Sequence, residues 1–186
     1  MDFFYFMRKD GVEWLNPPLG KHPVTDSTSK LDRGQTRILY ELQRNGRLSN
    51  VELAQLLGMS ESPCLRRVKQ LEQDGVIAGY LARLDQRKLG LPVTAYVQVS
   101  IDKQDDRLRE GFIARVQAEE HIIECHAMTG TSDFMLKVVA RSIDHFSDIA
   151  MRGILRWPGV RGIESQFSLE VVKANGPLPV STREVD

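Results

Sequence analysis

The spacing of apolar positions changes along the chain, and the change divides it. In LDRGQTRILYELQRNGRLS, Ile38, Leu39 and Leu42 recur at helical spacing, and Gly46 stops the helix. In SNVELAQLLGMS, Ser49 is placed to cap a second helix, and Glu52 stands three residues on, as in a capping box. Leu53, Leu56 and Leu57 form its expected apolar face, and Gly58 ends it as a left-handed C′ glycine would. GMSESPCLRRVKQLEQDGVI predicts a third helix. Ser60 or Ser62 caps it, and Pro63 sits in the first turn, where its missing amide has no helical partner to lose. Leu65, Val68 and Leu71 are expected to face inward, and Asp74-Gly75 closes the helix. VIAGYLARLD then alternates about Gly79, which predicts a small β-ribbon or a strand leading out of the domain.

From Leu91 onward the period shortens to two. VTAYVQVSI, HIIECHAMTG, FMLKVVA and VRGIESQFSLEVV read as strands. Between them, Leu108, Phe112, Ile113 and Val116 mark one helix, and Ile143, Phe146, Ile149 and Ile154 mark another. The order β-α-β-β-α-β is that of a ferredoxin-like unit. In that plan both helices cover one face of an antiparallel sheet, and the other face calls for a second covering layer, commonly another copy. The expected fold class is therefore α+β, with a helical domain over 31–82, a linker over 83–92, a ferredoxin-like domain over 93–175 and a tail over 176–186.

Residues 1–30 have no period and are rich in Pro, Gly, Ser and Thr, so an irregular arm is expected. Its aromatics Phe3, Phe4, Tyr5, Phe6 and Trp14 either dock on a partner subunit or precede a true start at Met7 or later. The apolar run at Phe3–Met7 is too short for a secretory or membrane-spanning segment. No membrane partner is expected, and a cytoplasmic location is.

Charge changes the picture only locally. Lys+Arg number 25 and Asp+Glu 25, so the chain as a whole does not attract phosphate. A basic face still can, because a polyanion responds to the nearby field. The third helix has such a face. Three short helices with a glycine turn between the second and third form a helix-turn-helix pattern. With its apolar residues inward, the third helix presents Ser62, Arg66, Arg67, Lys69, Gln70 and Gln73. Arg can pair with guanine through two hydrogen bonds, and Gln can do so with adenine. Ser62 and Arg66 are expected nearest the bases, and Arg67, Lys69 and Arg47 nearest the phosphates. Ser60 and Pro63 shape the helix entry. Against this stands the plainer possibility of a solvated helix face, and Glu61 and Glu72 would repel phosphate.

Residues 31–85 resemble the DNA-binding half of the Lrp/AsnC transcriptional regulators, and SESPCLRRVKQLEQDGVI is close to that family's recognition-helix signature. ECHAMTGTSDFMLKV resembles the same family's loop between two strands, and LRWPGVRGIESQFSLEVVK its closing strand. The resemblance covers about 31–174 and runs through both domains in order. It implies a winged helix-turn-helix joined to a ferredoxin-like effector and oligomerisation domain. It also implies double-stranded DNA as partner, homodimers that assemble further into tetramers or octamers, and a small-molecule effector, an amino acid or related metabolite. The family's effector loop falls on Thr129, Gly130, Thr131, Ser132 and Asp133. Gly130 would let amides approach a carboxylate, and Asp133 would meet an ammonium group. The plain alternative is a β-turn in which Gly130 only turns and Asp133 only caps.

No nucleophile elbow, Walker loop or dinucleotide fingerprint is present, so an enzyme is not expected, nor is a cofactor. Cys64 and Cys125 lie far apart in apolar runs and read as reduced, buried thiols. Cys125 and His126 point to opposite faces of one strand, which argues against a shared metal. The competing function is a small-molecule-binding module whose helical domain has no DNA role.

Overall fold

The computed structural model describes residues 31–102, 105–174 and 176–180. The expected arm over 1–30 lies outside the described residues.

Three helices form the first unit: α1 (Arg33–Arg44), α2 (Asn50–Leu57) and α3 (Glu61–Gln73). Local chemistry sets their starts. Asp32 caps α1 by accepting from the Gln35 amide at 2.7 Å, and the Gln35 side chain accepts from the Asp32 amide at 2.9 Å. Ser49 and Glu52 form the same reciprocal box on α2. Gly58 adopts φ 64°, a left-handed turn that costs a residue with a Cβ more, and so lets the chain reverse into α3. A shared apolar cluster of Ile38, Leu39, Leu53, Ala54, Leu57, Cys64 and Leu71 holds the three helices together.

Two expected faces are corrected here. On α2, Leu56 is 58% exposed and Ala54 takes its place in the core. On α3 the buried positions are Cys64 and Leu71, with Val68 half-buried beside them, while Leu65 is not part of the cluster. At about 100° per residue, α3 is thus turned by roughly 40° from the expected Leu65–Val68–Leu71 stripe. Ser60 occupies the cap position of α3 but makes no side-chain capping bond.

The segment after α3 forms no strand, so the expected ribbon over VIAGYLARLD is absent. Tyr80 ties this irregular wing back to α3 by donating to Glu72 Oε1 at 3.1 Å. Burial, then the neighbouring Glu72 carboxylate, pushes the Tyr80 phenol up to about 12. A turn follows, in which Gln86 Nε2 donates to the Thr94 hydroxyl at 2.9 Å and fastens the linker to the next unit.

The second unit is a four-stranded antiparallel sheet in the order β2-β3-β1-β4, with β1 (Val93–Ile101), β2 (Ile122–Ala127), β3 (Phe134–Ala140) and β4 (Val160–Phe167). Helix α4 (Asp106–Ala118) joins β1 to β2. The β3–β4 connection is α5 (Ile143–Ser147), continued by a π-helical turn over Asp148–Gly153 and a 3-10 turn over Ile154–Arg156. One uniform helix was expected there, with Ile143 inward. Instead Ile143 is exposed, while Phe146, Ala150 and Ile154 are buried. Alternation puts Ala95, Val97, Val99 and Ile101 of β1 with Phe134, Leu136, Val138 and Ala140 of β3 against Phe112 and Val116 of α4. Both helices therefore cover one face. The opposite face carries Tyr96 beside Lys137 and Gln166, and Gln98 beside Met135 and Glu164. Strand β4 ends at Phe167, so the expected extension through Val172 is irregular, with Leu169 and Val172 exposed.

Truncating Leu71 to Ala removes a fully buried anchor of α3 and should cost about 2–5 kcal/mol, read by urea denaturation of the helical unit. Acid should loosen the same unit. The Gln35 amide, then the Arg67 charge, hold the Asp32 carboxyl below its ordinary value despite some desolvation, and the Ser49 amide does the same for Glu52. Their contribution is complete above the ordinary carboxylate range and is lost as pH falls through the lowered values. Protection factors of the amides in α1 and α2, which correct for the intrinsic pH dependence of exchange, should therefore fall as the pH drops below the ordinary carboxylate range, before the sheet opens.

Candidate nucleic-acid interface and effector loop

Helix α3 is the candidate reader. With Cys64 and Leu71 buried, the positions about 180° away are Ser62, Arg66, Lys69 and Gln73, at successive turns of one stripe. All four are exposed. The helix thus presents a hydroxyl, a guanidinium, an ammonium and an amide along one line. Arg47 is exposed in the α1–α2 turn, where its backbone amide donates to the Asn45 side chain at 3.1 Å. Gln70 lies beside the stripe, and its Nε2 donates to Asp74 Oδ1 at 2.8 Å. Ser60 and Pro63 are exposed at the entry of the helix.

Arg67 is placed differently. Its Nε lies 3.4 Å from Asp32 Oδ2, and its side chain is only 31% exposed. The guanidinium therefore faces the start of α1 rather than the open stripe. Gly34 makes room for it: a Cβ there would come within 3.0 Å of Arg67 Nε and 3.1 Å of the Met59 methyl. Two further residues escaped the sequence reading. Asn50 Nδ2 donates to the Glu61 carbonyl at 3.0 Å and joins the first turns of α2 and α3. Cys64 is an anchor of α3, and burial pushes its thiol up against the opposing effect of Arg67. Its burial agrees with the sequence reading; what that reading missed is that Cys64, and not Leu65, anchors α3, for which the signal was its spacing of seven residues from Leu71.

The loop between β2 and β3 is the second candidate. Gly130 has φ 106°, a conformation that a side chain would strain. Asp133 fastens the loop to the central strand: its carboxylate accepts from the Ile101 amide at 2.9 Å, and its own amide donates to the Val99 carbonyl at 2.9 Å. Thr129 and Thr131 are exposed at the tip. Thr131 and Ser132 line an open concavity of 310 Å³ together with Gln98, Ser100, Gly162, Ile163 and Glu164. The loop thus meets side chains of β1 and β4, which sequence spacing could not associate with it.

On the same sheet, Glu124 pairs with Lys137 at 2.7 Å and lies 3.6 Å from His126 Nε2. Desolvation raises the Glu124 value, but the Lys137 bond and charge outweigh it and hold the carboxyl low. Cys125 faces the covered side, half-buried, and burial pushes its thiol up to about 11. Among the described residues no group of three His, Cys, Asp or Glu fits a metal ion, and no helix is long and apolar enough to cross a membrane.

Comparison with known proteins places both candidates in context. The profile of a winged helix-turn-helix DNA-binding domain matches residues 31–78, and that of the Lrp/AsnC ligand binding domain matches 94–178. The chain is 37% identical over 153 residues to the leucine-responsive regulatory protein of Salmonella typhimurium, covering 82% of this chain and 93% of that one. The same identity and coverage hold for the Escherichia coli protein of that name. Among solved structures, a transcriptional regulator of Neisseria meningitidis in complex with L-Met superposes with a TM-score of 0.77 at 39% identity, covering 80% of this chain and 96% of that one. An AsnC family transcriptional regulator of Agrobacterium tumefaciens gives 0.75 at 31% identity, covering 80% and 97%.

The different settings of the cations yield distinct salt responses. Lys69→Ala should lower the slope of log K against log salt by about 1, the signature of one lost phosphate contact. Arg66→Ala should cost about 1–3 kcal/mol of discrimination between specific and random duplex. Arg67→Ala should weaken binding with the slope intact, because Arg67 acts through Asp32. Fluorescence anisotropy titrations at several salt concentrations measure all three.

Proposed function

The chain belongs to the Lrp/AsnC family of transcriptional regulators, and on that premise we propose that two copies read a paired operator through α3 and answer to an amino acid held on the sheet domain. The match over 31–78 removes the reading in which the helical unit has no DNA role. The observation that carries the proposal is the stripe Ser62–Arg66–Lys69–Gln73, set opposite the buried Cys64 and Leu71.

In this reading Ser62 and Arg66 meet base edges in the major groove, with Gln70 at the margin. Lys69 and Arg47 meet phosphates. Ser60 and Pro63 bring the first turn of α3 to the duplex, and Arg67 holds the angle of the helix from behind. Homodimers present two such helices, and further assembly into tetramers or octamers extends the array. Support for a second copy comes from the uncovered sheet face, where Glu124, Lys137, Gln98 and Glu164 offer paired polar groups. The work is done in the cytoplasm, where both thiols stay reduced.

For the effector, an amino acid suits the concavity. Glu164 would face an ammonium group, and the hydroxyls of Thr131 and Ser132 with the loop around Thr129 and Gly130 would face a carboxylate. Asp133 would shape the loop, its carboxylate being held at Ile101. The relatives point to the same ligand class: one was solved with L-Met, and others are named for their response to leucine.

Selection from a random DNA pool should enrich a two-fold symmetric site with half-sites about one helical turn apart. L-methionine or L-leucine should shift its affinity. Glu164→Gln should weaken amino-acid binding by roughly tenfold in calorimetry, as expected for one charge-assisted bond, while leaving basal operator binding intact. Enrichment of no sequence would overturn the proposal.

A further inference from the structure

The chain returns to the reader after the sheet is finished. Gln43, on α1, bonds the backbone of Leu178 in both senses. Leu178 N–H donates to Gln43 Oε1 at 2.6 Å, and Gln43 Nε2 donates to the Leu178 carbonyl at 3.2 Å. Two residues on, Val180 packs against the reader's apolar cluster. A contact across 135 residues of sequence thus joins the last described segment to the first helix.

The local sequence suits this docking. Leu178 stands between Pro177 and Pro179. Neither proline has an N–H, so the Leu178 amide is the single donor of that tripeptide, and Gln43 takes it. The prolines also keep the run extended before it docks, which lowers the entropy lost on ordering it. The Leu178 side chain is 77% exposed, so recognition rests on the backbone pair and on Val180. Otherwise the two units meet little: among the described residues no helix of the reader packs extensively on an element of the sheet domain.

We propose that residues 176–180 are a strap that docks in cis on α1 and, with the linker over 83–92, holds the reader at two points. A reader tethered only by its linker would swivel and tolerate half-sites in several phases. One held at two points selects a phase. This consequence rests on the paired-operator reading. The docking itself does not.

Leu178→Pro deletes the donor and keeps the extended backbone, and Gln43→Ala deletes its partner. Leu178→Ala keeps the bond and serves as the control. Hydrogen exchange on the full chain should show the Leu178 amide protected in the wild type and in no Gln43→Ala sample. Cysteines at positions 40 and 178, which leave Gln43, the Leu178 backbone and Val180 in place, should be joined by a short bis-maleimide within one chain, running at single-chain mass on a denaturing gel. Cross-linked dimers, or a Leu178 amide exchanging as fast as in Gln43→Ala, overturn the strap. On DNA, the ratio of affinities for the selected operator and for one with about 5 bp inserted, half a turn, should fall at least fivefold in Leu178→Pro and Gln43→Ala and hold in Leu178→Ala. An unchanged ratio in the two strap variants overturns the orienting role. A wild type that ignores the insertion overturns the paired-operator reading instead, and the strap then stands or falls on exchange and cross-linking.

Discussion

The reader depends on how α3 is seated. Cys64 and Leu71 lie in the cluster that Ile38 and Leu53 build from the other two helices. A helix is rigid about its own axis, so burial of these two positions determines which side chains point outward. Ser62, Arg66, Lys69 and Gln73 form a line for that reason alone. Supporting contacts act on the same helix from other directions: Arg67 reaches Asp32, Asn50 holds the Glu61 carbonyl, and Glu72 receives the Tyr80 hydroxyl. They share one effect, which is to limit rotation of α3 on its seat. A reader that rotated by even the spacing of one residue would present a different set of groups to a groove.

The sheet domain is built on another economy. Its core is made on one face, between β1 and β3 and the two helical connections. The remaining face mixes polar groups with Tyr96 and Met135, and its polar groups suit recognition because each gains from a partner of matching geometry. Asp133 belongs to both functions. By holding the Ile101 amide it fixes the loop against the central strand, and so sets where Thr131 and Ser132 stand relative to Glu164. The Asp133 carboxylate, expected to meet a ligand, is already occupied by the backbone, and the rest of the concavity's lining comes from neighbouring strands.

Transcriptional regulators of this kind need two domains that fold separately and still sense one another. The two apolar clusters meet the first need, since each is drawn from its own stretch of chain apart from Val180. Val180 is the exception that links them, packed in the first cluster while following the last strand. Strand β4 contributes Gly162, Ile163 and Glu164 to the concavity, and the strap leaves the sheet beyond its end, so the candidate ligand site and the reader share a covalent connection only a short way along the chain.

Local features were legible in the sequence because local interactions produce them. The capping boxes at Asp32 and Ser49, the turn at Gly58 and the alternation of β1 and β3 each depend on residues a few positions apart. The box at Asp32 carries the same signature as that at Ser49, a capping residue followed three positions on by Gln35. The order of elements then sufficed for the fold, since few topologies place two helices on one side of such a sheet. Other features were decided by tertiary packing. Whether Cys64 or Leu65 faces the core depends on the shape left between α1 and α2. Whether Arg67 meets a phosphate or Asp32 depends on a niche opened by Gly34, and whether Asp133 is free depends on a strand more than 30 residues away. Gln43 and Leu178 carry no mark in the sequence that pairs them, because a side-chain amide binds any extended backbone brought to it, and only the folded chain determines which one arrives.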